Sequence, residues 1–359
     1  MSELLSYRPA TRRDLADCAL IWYSAVDGYM ARLNRPLPSP YLDPLLALLD
    51  HLLLTDPERF MLAVRPAGEG PAARAEARTV GFGIAVQRDH VWFLSQLYIL
   101  PEEQAHGIGR ALLTQIMPSI AQAPVAGETD HEASAQDPDQ RRNGVMATCT
   151  DSAQPVSNGL YARYGIVPRM PVFNLVGQPA EPSSMPPLPS GISAVAMDRQ
   201  GPRASRVHLG PAHWGEVEQG SAQALASPDA MDRAVEAIDR AVIGYAHPAD
   251  HAFLRAGGRT GFVYLAGDEP IGYGYSSEAG RFGPVAVLDE TLTAPVLGHL
   301  MAAIKPRGAT SVWVPGHNDR AMVALLRAGL RVEGFPAQLC WTRPFGAFDR
   351  YVPASLALL

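Results

Sequence analysis

The segment Leu97 to Leu113, LYILPEEQAHGIGRALL, runs an apolar strand into a glycine-bracketed turn and then into a helix. Trp92 to Leu100 is an almost continuous apolar and aromatic run that contains only Ser95 and Gln96 as polar residues, and Pro101 stops it at strand length. Beyond it, Gln104-Ala105-His106-Gly107-Ile108-Gly109 leads into a helix whose apolar face continues through Ala111, Leu112, Ile116 and Met117. Glycines at such a turn let successive backbone N–H groups approach an anion with no Cβ in the way, and the helix N-terminus adds a favourable dipole. The segment is shaped to hold a phosphate or pyrophosphate. No Lys-Ser/Thr pair follows the glycines, which argues against a P-loop, and the third glycine of a dinucleotide fingerprint is missing.

Gln104, Gly107 and Gly109 resemble motif A of the GNAT superfamily of acyl-CoA N-acyltransferases, a strand followed by Gln or Arg, x, x, Gly, x, Gly or Ala. Other segments agree in order. Tyr7-Arg8-Pro9-Ala10-Thr11 with Arg12-Arg13-Asp14-Leu15 is similar to the family's first strand and the start of its first helix. Val145 to Thr150 reads as a strand, and Gln154 to Gly165, with Tyr161 four residues before the glycine, resembles motif B. The resemblance covers roughly residues 4 to 177 and implies fold and cofactor, while saying little of the acceptor.

At 359 residues the chain is long enough for two domains, and 47% apolar content supports filled cores. No apolar stretch reaches membrane-spanning length, since Asp50 and His51 break Leu45 to Leu54, and the N-terminus lacks signal-peptide architecture. The net charge of −6 argues against a nucleic-acid surface. Cys18, Cys149 and Cys340 are widely spaced with no paired metal-ligand spacing, so no metal is expected and a reduced, cytoplasmic setting is. Lys305 is the only lysine among many arginines, which reads as composition bias.

The order of elements then returns. Gln154, Tyr161 and Gly165 recur as Asn318, Leu325 and Gly329 at a constant offset of 164, and the strand before them recurs at Ala309 to Val314. A helix is predicted around Ala230 to Gly244, with strands at Thr260 to Leu265, Ile271 to Ser276 and Pro284 to Leu288. Aligning Ile99 with Val287 gives an offset of 188, so the first copy is 24 residues longer, at a polar insertion near Ala121 to Gly144. A smaller one lies at Ala67 to Arg78. In the second copy Gly107, Gly109 and Gln104 become Pro295, Leu297 and Leu292, which removes a donor and crowds the approach. The expected architecture is α/β: two tandem GNAT-type domains, each a mixed, mostly antiparallel sheet flanked by helices, with the C-terminal copy degenerate and binding no CoA. The expected division is 1–178 for the catalytic domain, 179–190 for an unpacked proline-rich linker and 191–359 for the second domain. This arrangement resembles the mycothiol-synthase-like tandem members of the family. A homodimer is compatible with the sheet edges that two copies would leave.

The resemblance implies acetyl-CoA, or another acyl-CoA, held by Leu97, Tyr98, Ile99, Gln104, His106, Gly107, Ile108, Gly109, Arg110 and Asn158. Tyr161 matches the family position of the acid that protonates the departing thiolate. Acylating an amine also requires removing a proton: an ammonium of pKa ~10.4 lies on the order of 4–5 kcal/mol from its neutral form at pH 7. Members that use a base often carry Glu beside the residue aligned with Leu97, where this chain has Gln96, which can orient a water or an amine but cannot accept a proton. Asp89, His90 and Glu102 are the nearby acidic or basic alternatives. Trp22, Tyr23, Asp27, Tyr29 and Arg32, on and after the first helix, fall where the family builds its acceptor wall. No Cys or Ser sits in a nucleophile setting, so direct transfer in a ternary complex to a small-molecule primary amine is expected. A protein lysine or N-terminus is the alternative acceptor, and a non-catalytic acyl-CoA-binding module or a nucleotide-binding protein using the same turn are the alternatives of another class.

Overall fold

Two runs of strand and helix, in the same order, form a single sheet. The computed structural model describes residues 5–35, 37, 40–66, 77–118, 144–180, 182–197 and 227–359. The expected insertions at Ala67 to Arg78 and Ala121 to Gly144 lie outside the described residues except for 77–78 and 144. The first run is β1 (Ser6–Pro9), α1 (Leu15–Arg32), α2 (Asp43–Thr55), β2 (Phe60–Arg65), β3 (Arg78–Arg88), β4 (Val91–Ile99), α3 (Ile108–Ile116), β5 (Val145–Asp151), α4 (Pro155–Ala162) and β6 (Val167–Gly177). The second is β7 (Ile192–Ala196), α5 (Pro228–Val242), α6 (Pro248–Ala256), β8 (Thr260–Ala266), β9 (Glu269–Ser276), β10 (Arg281–Val287), α7 (Thr293–Ala303), β11 (Thr310–Pro315), α8 (Asp319–Arg327) and β12 (Arg331–Trp341). A short β13 (Tyr351–Val352) follows. The predicted helix at Ala230 to Gly244 thus begins slightly earlier, where Ser227 caps it by accepting from the Ala230 N–H at 3.2 Å.

The halves do not keep separate sheets. In spatial order the strands run β1-β2-β3-β4-β5-β12-β6-β11-β10-β9-β8-β7, with β13 beside β10. The last strand of each run therefore pairs with the other run: β12 lies antiparallel to β5 (Trp341 opposite Ala147), and β6 antiparallel to β11 (Val172 opposite Pro315). β6 and β12 also pair with each other, Arg331 opposite Val176, so the inner sheet edges cover one another. One apolar cluster spans both halves, with Phe60, Phe82 and Leu49 in it together with Val235, Tyr273 and Leu339.

The proline-rich connection between the runs was expected to stay unpacked, and it does not. Met185 is buried and packs into the core of the second half, where Gly298 on α7 leaves room: a Cβ there would come 3.1 Å from Met185 Cβ and 3.0 Å from the Pro186 carbonyl.

Polar contacts also tie the halves together. Arg88 at the end of β3 donates to Asp56 at 2.8 Å and, through two nitrogens, to Asp250 on α6 at 2.9 and 3.0 Å. Asp250 also meets His51 of α2 at 2.6 Å. Removing the guanidinium leaves two buried carboxylates facing each other. Arg88→Ala is therefore expected to cost about 3–5 kcal/mol in urea unfolding; a loss under about 1 kcal/mol, the range of a surface pair, would contradict that reading.

Near the start of the chain, Asp14 accepts from the Thr11 N–H (2.8 Å) and hydroxyl (2.7 Å) and pairs with Arg8 at 2.6 Å, joining β1 to the start of α1. The Arg8 hydrogen bond, chiefly, lowers its carboxyl to about 2. A carboxylate depressed in the folded state stabilises above its unfolded pKa of 3.8, and that stabilisation is lost as pH falls towards 2. Asp14→Asn should then melt below the unmodified chain at pH 7, and the two melting curves should converge as the pH is lowered from 4 to 2.

Candidate functional site

β4 and β5 run parallel only from Val91 to Leu94 against Val145 to Thr148. Past that point they separate, and a bulge on β4 starts the divergence: the β3 register shifts between Ile84 and Ala85, which passes from Gln96 to Leu94 and leaves Ser95 without a cross-strand partner. The freed Ser95 hydroxyl donates to the Ala357 carbonyl at 2.8 Å. N–H groups alternate between the two edges of a strand, so about half of those from Ser95 to Ile99 face the open side of the V. The V opens into a cleft of about 2950 Å³ whose far wall comes from the second half, including Phe253, Arg259, Glu278 and Leu356.

The glycine turn closes one end of the V. Ala105 (φ 66°) and Gly107 (φ 81°) both adopt left-handed backbone, and Gly107 is the residue from which α3 starts, with no side chain capping it. The first N–H groups of the helix are left for a ligand. Gln104 Nε2 donates to the Ile99 carbonyl at 3.0 Å and pins the turn to β4. Glu103, the acid nearest the turn, is drawn away by Arg65, whose two nitrogens lie 3.1 and 2.5 Å from its carboxylate and hold its pKa down. A Cβ on Gly109 would stand 3.9 Å from Ile99 and Leu160 and 4.0 Å from Leu97. A Cβ at this position therefore meets only ordinary contacts, and Gly109 itself borders the cleft.

Of the residues expected to hold the acyl donor, Leu97, Tyr98, Ile99, Gln104, Gly107, Ile108, Gly109 and Arg110 all line the cleft. His106 and Asn158 do not. The His106 ring turns back so that Nδ1 meets the Glu103 carbonyl at 3.3 Å. Asn158 fastens α4 to β5 instead, donating from Nδ2 to the carbonyls of Asp151 (3.1 Å) and Gln154 (2.8 Å).

On the other side of β4, Trp22 lies edge-on to Tyr98 with ring centroids 6.3 Å apart, and Tyr29, Arg32 and Tyr41 continue the wall. Tyr23 and Asp27 lie outside it. Asp27 Oδ1 accepts from the Leu37 N–H at 3.0 Å, so it shapes the loop after α1. Gln96 is 5% exposed, lines the cleft, and its Oε1 is buried with no hydrogen-bond partner. A buried acceptor in that state is costly unless something donates to it. Tyr161 is likewise 5% exposed and borders the cleft, and burial raises its phenol, which therefore stays protonated.

The sequence reading missed Asp151, the last residue of β5. It stands in the cleft wall where the strands have parted. Its carboxylate accepts from the Ala153 N–H at 2.9 Å and lies near two phenols: burial, then Asp151, raises Tyr29 to about 12, and both also act to raise Tyr98. A lone acid directly after the Val145 to Thr150 strand was the available signal. The alternatives named from sequence lie elsewhere. Asp89 and His90 form the β3–β4 turn, at the far end of β4 from the V, and Asp89 Oδ2 accepts from the Ala246 N–H at 3.2 Å. Glu102 pairs with Arg78 at 3.2 Å on the exposed surface.

The second copy has the same parting of strands and fills it. β10 and β11 pair in parallel only at Arg281 and Phe282, and β13 then lies antiparallel on β10, with Tyr351 opposite Ala286 and Val352 opposite Val285. Both β13 residues are fully buried, and Asn318 Nδ2 donates to the Tyr351 carbonyl at 3.3 Å. Pro295 and Leu297, which the sequence offset aligns with Gly107 and Gly109, are buried inside α7, whose N-cap is Leu292 where that of α3 is Gly107. Leu325 replaces Tyr161 in the core.

Comparison with known proteins agrees with this geometry. Residues 27–141 match the model of the acetyltransferase (GNAT) family. A solved structure from Pyrococcus horikoshii, of a protein assigned to the acetyltransferases, superposes with a TM-score of 0.64 at 14% identity, covering 100% of this chain and 97% of that one. A GCN5-related N-acetyltransferase from Sphaerobacter thermophilus superposes with a TM-score of 0.53, also at 14% identity, over 95% of this chain and 96% of its own. Both likenesses extend through the two halves and concern the fold. No curated protein matches the sequence. No described helix is long and apolar enough to cross a membrane.

Proposed function

Because this chain carries a GNAT-family domain in its first half, we propose that it transfers an acetyl group from acetyl-CoA to the primary amine of a small molecule, by direct attack in a ternary complex. The observation that carries the reading is the pairing, across one V, of an uncapped glycine turn with the buried, unpartnered Oε1 of Gln96 and the carboxylate of Asp151.

The residues present fit an acyl-CoA. The N–H groups at the start of α3 suit its pyrophosphate, Gly109 puts no side chain into the cleft beside them, and the edge of β4 past Leu94 suits its amide-bearing arm. When bound, acetyl-CoA supplies an activated acyl group and a thiol leaving group. This chain's residues do the rest. N–H groups on the open edge of β4 polarise a carbonyl placed there. Asp151 takes a proton from the acceptor's ammonium, directly or through one water, so that the neutral amine attacks, and supplies the base that Gln96 cannot be. Gln96 Oε1 accepts an N–H and aligns the amine. Tyr161 holds its proton available for the leaving group. Trp22, Tyr29 and Tyr98 face the acceptor, and the wall of Phe253, Arg259 and Leu356 from the second half restricts it to a molecule that fits within the cleft. The second half, with its V filled, serves as that wall and binds no CoA. The three free cysteines suit a cytoplasmic setting.

Asp151→Asn is expected to lower kcat/KM about 10²-fold or more, and Tyr161→Phe about tenfold, in a thiol-release assay with a panel of primary amines. Acetyl-CoA affinity should hold in both. An unaltered rate in Asp151→Asn removes the assigned base, and tight acetyl-CoA binding with no turnover on any amine favours a non-catalytic module.

The two copies should also differ in calorimetry. Gly109→Val is expected to weaken acetyl-CoA binding at least roughly tenfold, whereas Pro295→Ala should leave it unchanged. Equal effects would contradict a single cofactor site.

A further inference from the structure

Away from the cleft, α5 and α6 bring together a cluster of buried side chains that the acetyltransferase reading does not use. Asp239 on α5, His247 at the start of α6 and His251 one turn later are each at most 3% exposed. Both histidines turn their Nε2 towards the same atom, Asp239 Oδ2, at 3.4 Å from His247 and 2.9 Å from His251. Among the described residues this is the one group of His, Cys, Asp and Glu whose ligand atoms gather within 4.8 Å.

The hydrogen bonding there is incomplete. His247 makes no hydrogen bond from either ring nitrogen, although carboxylate oxygens stand 3.4 Å from each, and His251 Nδ1 also lacks a partner. A fully buried imidazole whose two nitrogens each face a carboxylate oxygen at 3.4 Å without hydrogen-bond geometry leaves room for an ion between ring and carboxylate.

We propose that Asp239, His247 and His251 bind a divalent zinc ion in the interior of the second half. Zinc bonds of about 2.0–2.1 Å in a tetrahedron set ligand atoms about 3.3–3.4 Å apart. The gap between His247 and Asp239 already has that length at 3.4 Å, and the 2.9 Å gap to His251 opens by roughly half an ångström. Two imidazoles and one carboxylate make a donor set that suits zinc, with a water in the fourth position.

The outer partners are in place as well. Asp250 stands 3.4 Å behind His247 Nδ1, where it would accept that N–H and leave the Nε2 lone pair for the metal. Asp250 is itself held by Arg88 and His51 of the first half. Tyr273 Oη donates to the second Asp239 oxygen at 2.5 Å. The ion would thus fasten α5 to α6 and, through Asp250, steady the contact between the halves. The histidine spacing, His247-x-x-x-His251 at the start of a helix, is visible in the sequence.

The test uses the full chain expressed in zinc-supplemented medium and passed over a chelating resin. Elemental analysis should find about one zinc per chain, and protein refolded with Co²⁺ alone should show the intense visible absorption of a four-coordinate site. His251→Gln and His247→Gln should each lose the bound metal. If neither variant folds, the zinc content and Co²⁺ spectrum of the unmodified protein still decide. Folded protein with less than about a tenth of an equivalent of zinc and no Co²⁺ band overturns the proposal. So does full zinc retention in a folded His251→Gln protein.

Discussion

The structure depends on the exchange of final strands between its two halves. Alone, β5 would end one sheet and β11 the other, each leaving a row of unpaired N–H and C=O groups. Instead β12 completes the first half and β6 the second, and the two inserted strands pair with each other. Neither half has a finished sheet without the other, and the shared core from Phe60 to Leu339 follows from that. The covered edges also remove the argument from open sheet edges for a homodimer at this place.

Exchange sets the site's shape. Because β5, β12, β6 and β11 run alternately antiparallel, the end of β5 and the start of β11 share one rim of the sheet. The V of the first half therefore opens towards turns of the second, and Arg259, Glu278 and Leu356 face it across the cleft. The two copies then diverge through one local difference. In the first the V stays open and a glycine turn faces it; in the second β13 adds a buried strand along β10, with Tyr351 and Val352 fully buried. In the second half a strand of the chain's own polypeptide pairs along β10 where β4 has no such partner past Leu94 on the β5 side.

What the sequence made legible was local. The apolar run of β4, the glycines of the turn after it and the constant spacing from Gln154 to Gly165 are properties of neighbouring residues, so the elements that carry them, and their recurrence at Asn318 to Gly329, could be read directly. Strand exchange could not, because alternation within β6 or β12 says which face is buried and nothing of which strand lies alongside. Met185 illustrates the same limit, since its burial depends on Gly298, more than a hundred residues away. Asp151 became informative only once the parting of β4 from β5 placed it in one cavity with Gln96. His106 and Asn158 had the right positions in the motifs, but their side chains turn to backbone carbonyls.

The central claim is that one of two homologous V-shaped gaps is open to acetyl-CoA and the other is filled. Hydrogen–deuterium exchange of the full chain, with and without saturating acetyl-CoA, reads both gaps at once. Slower exchange at Gln96 to Leu112, with no change from Arg281 to Leu300, is the predicted result. Protection at Arg281 to Leu300, or none at Gln96 to Leu112 under saturating ligand, would contradict it.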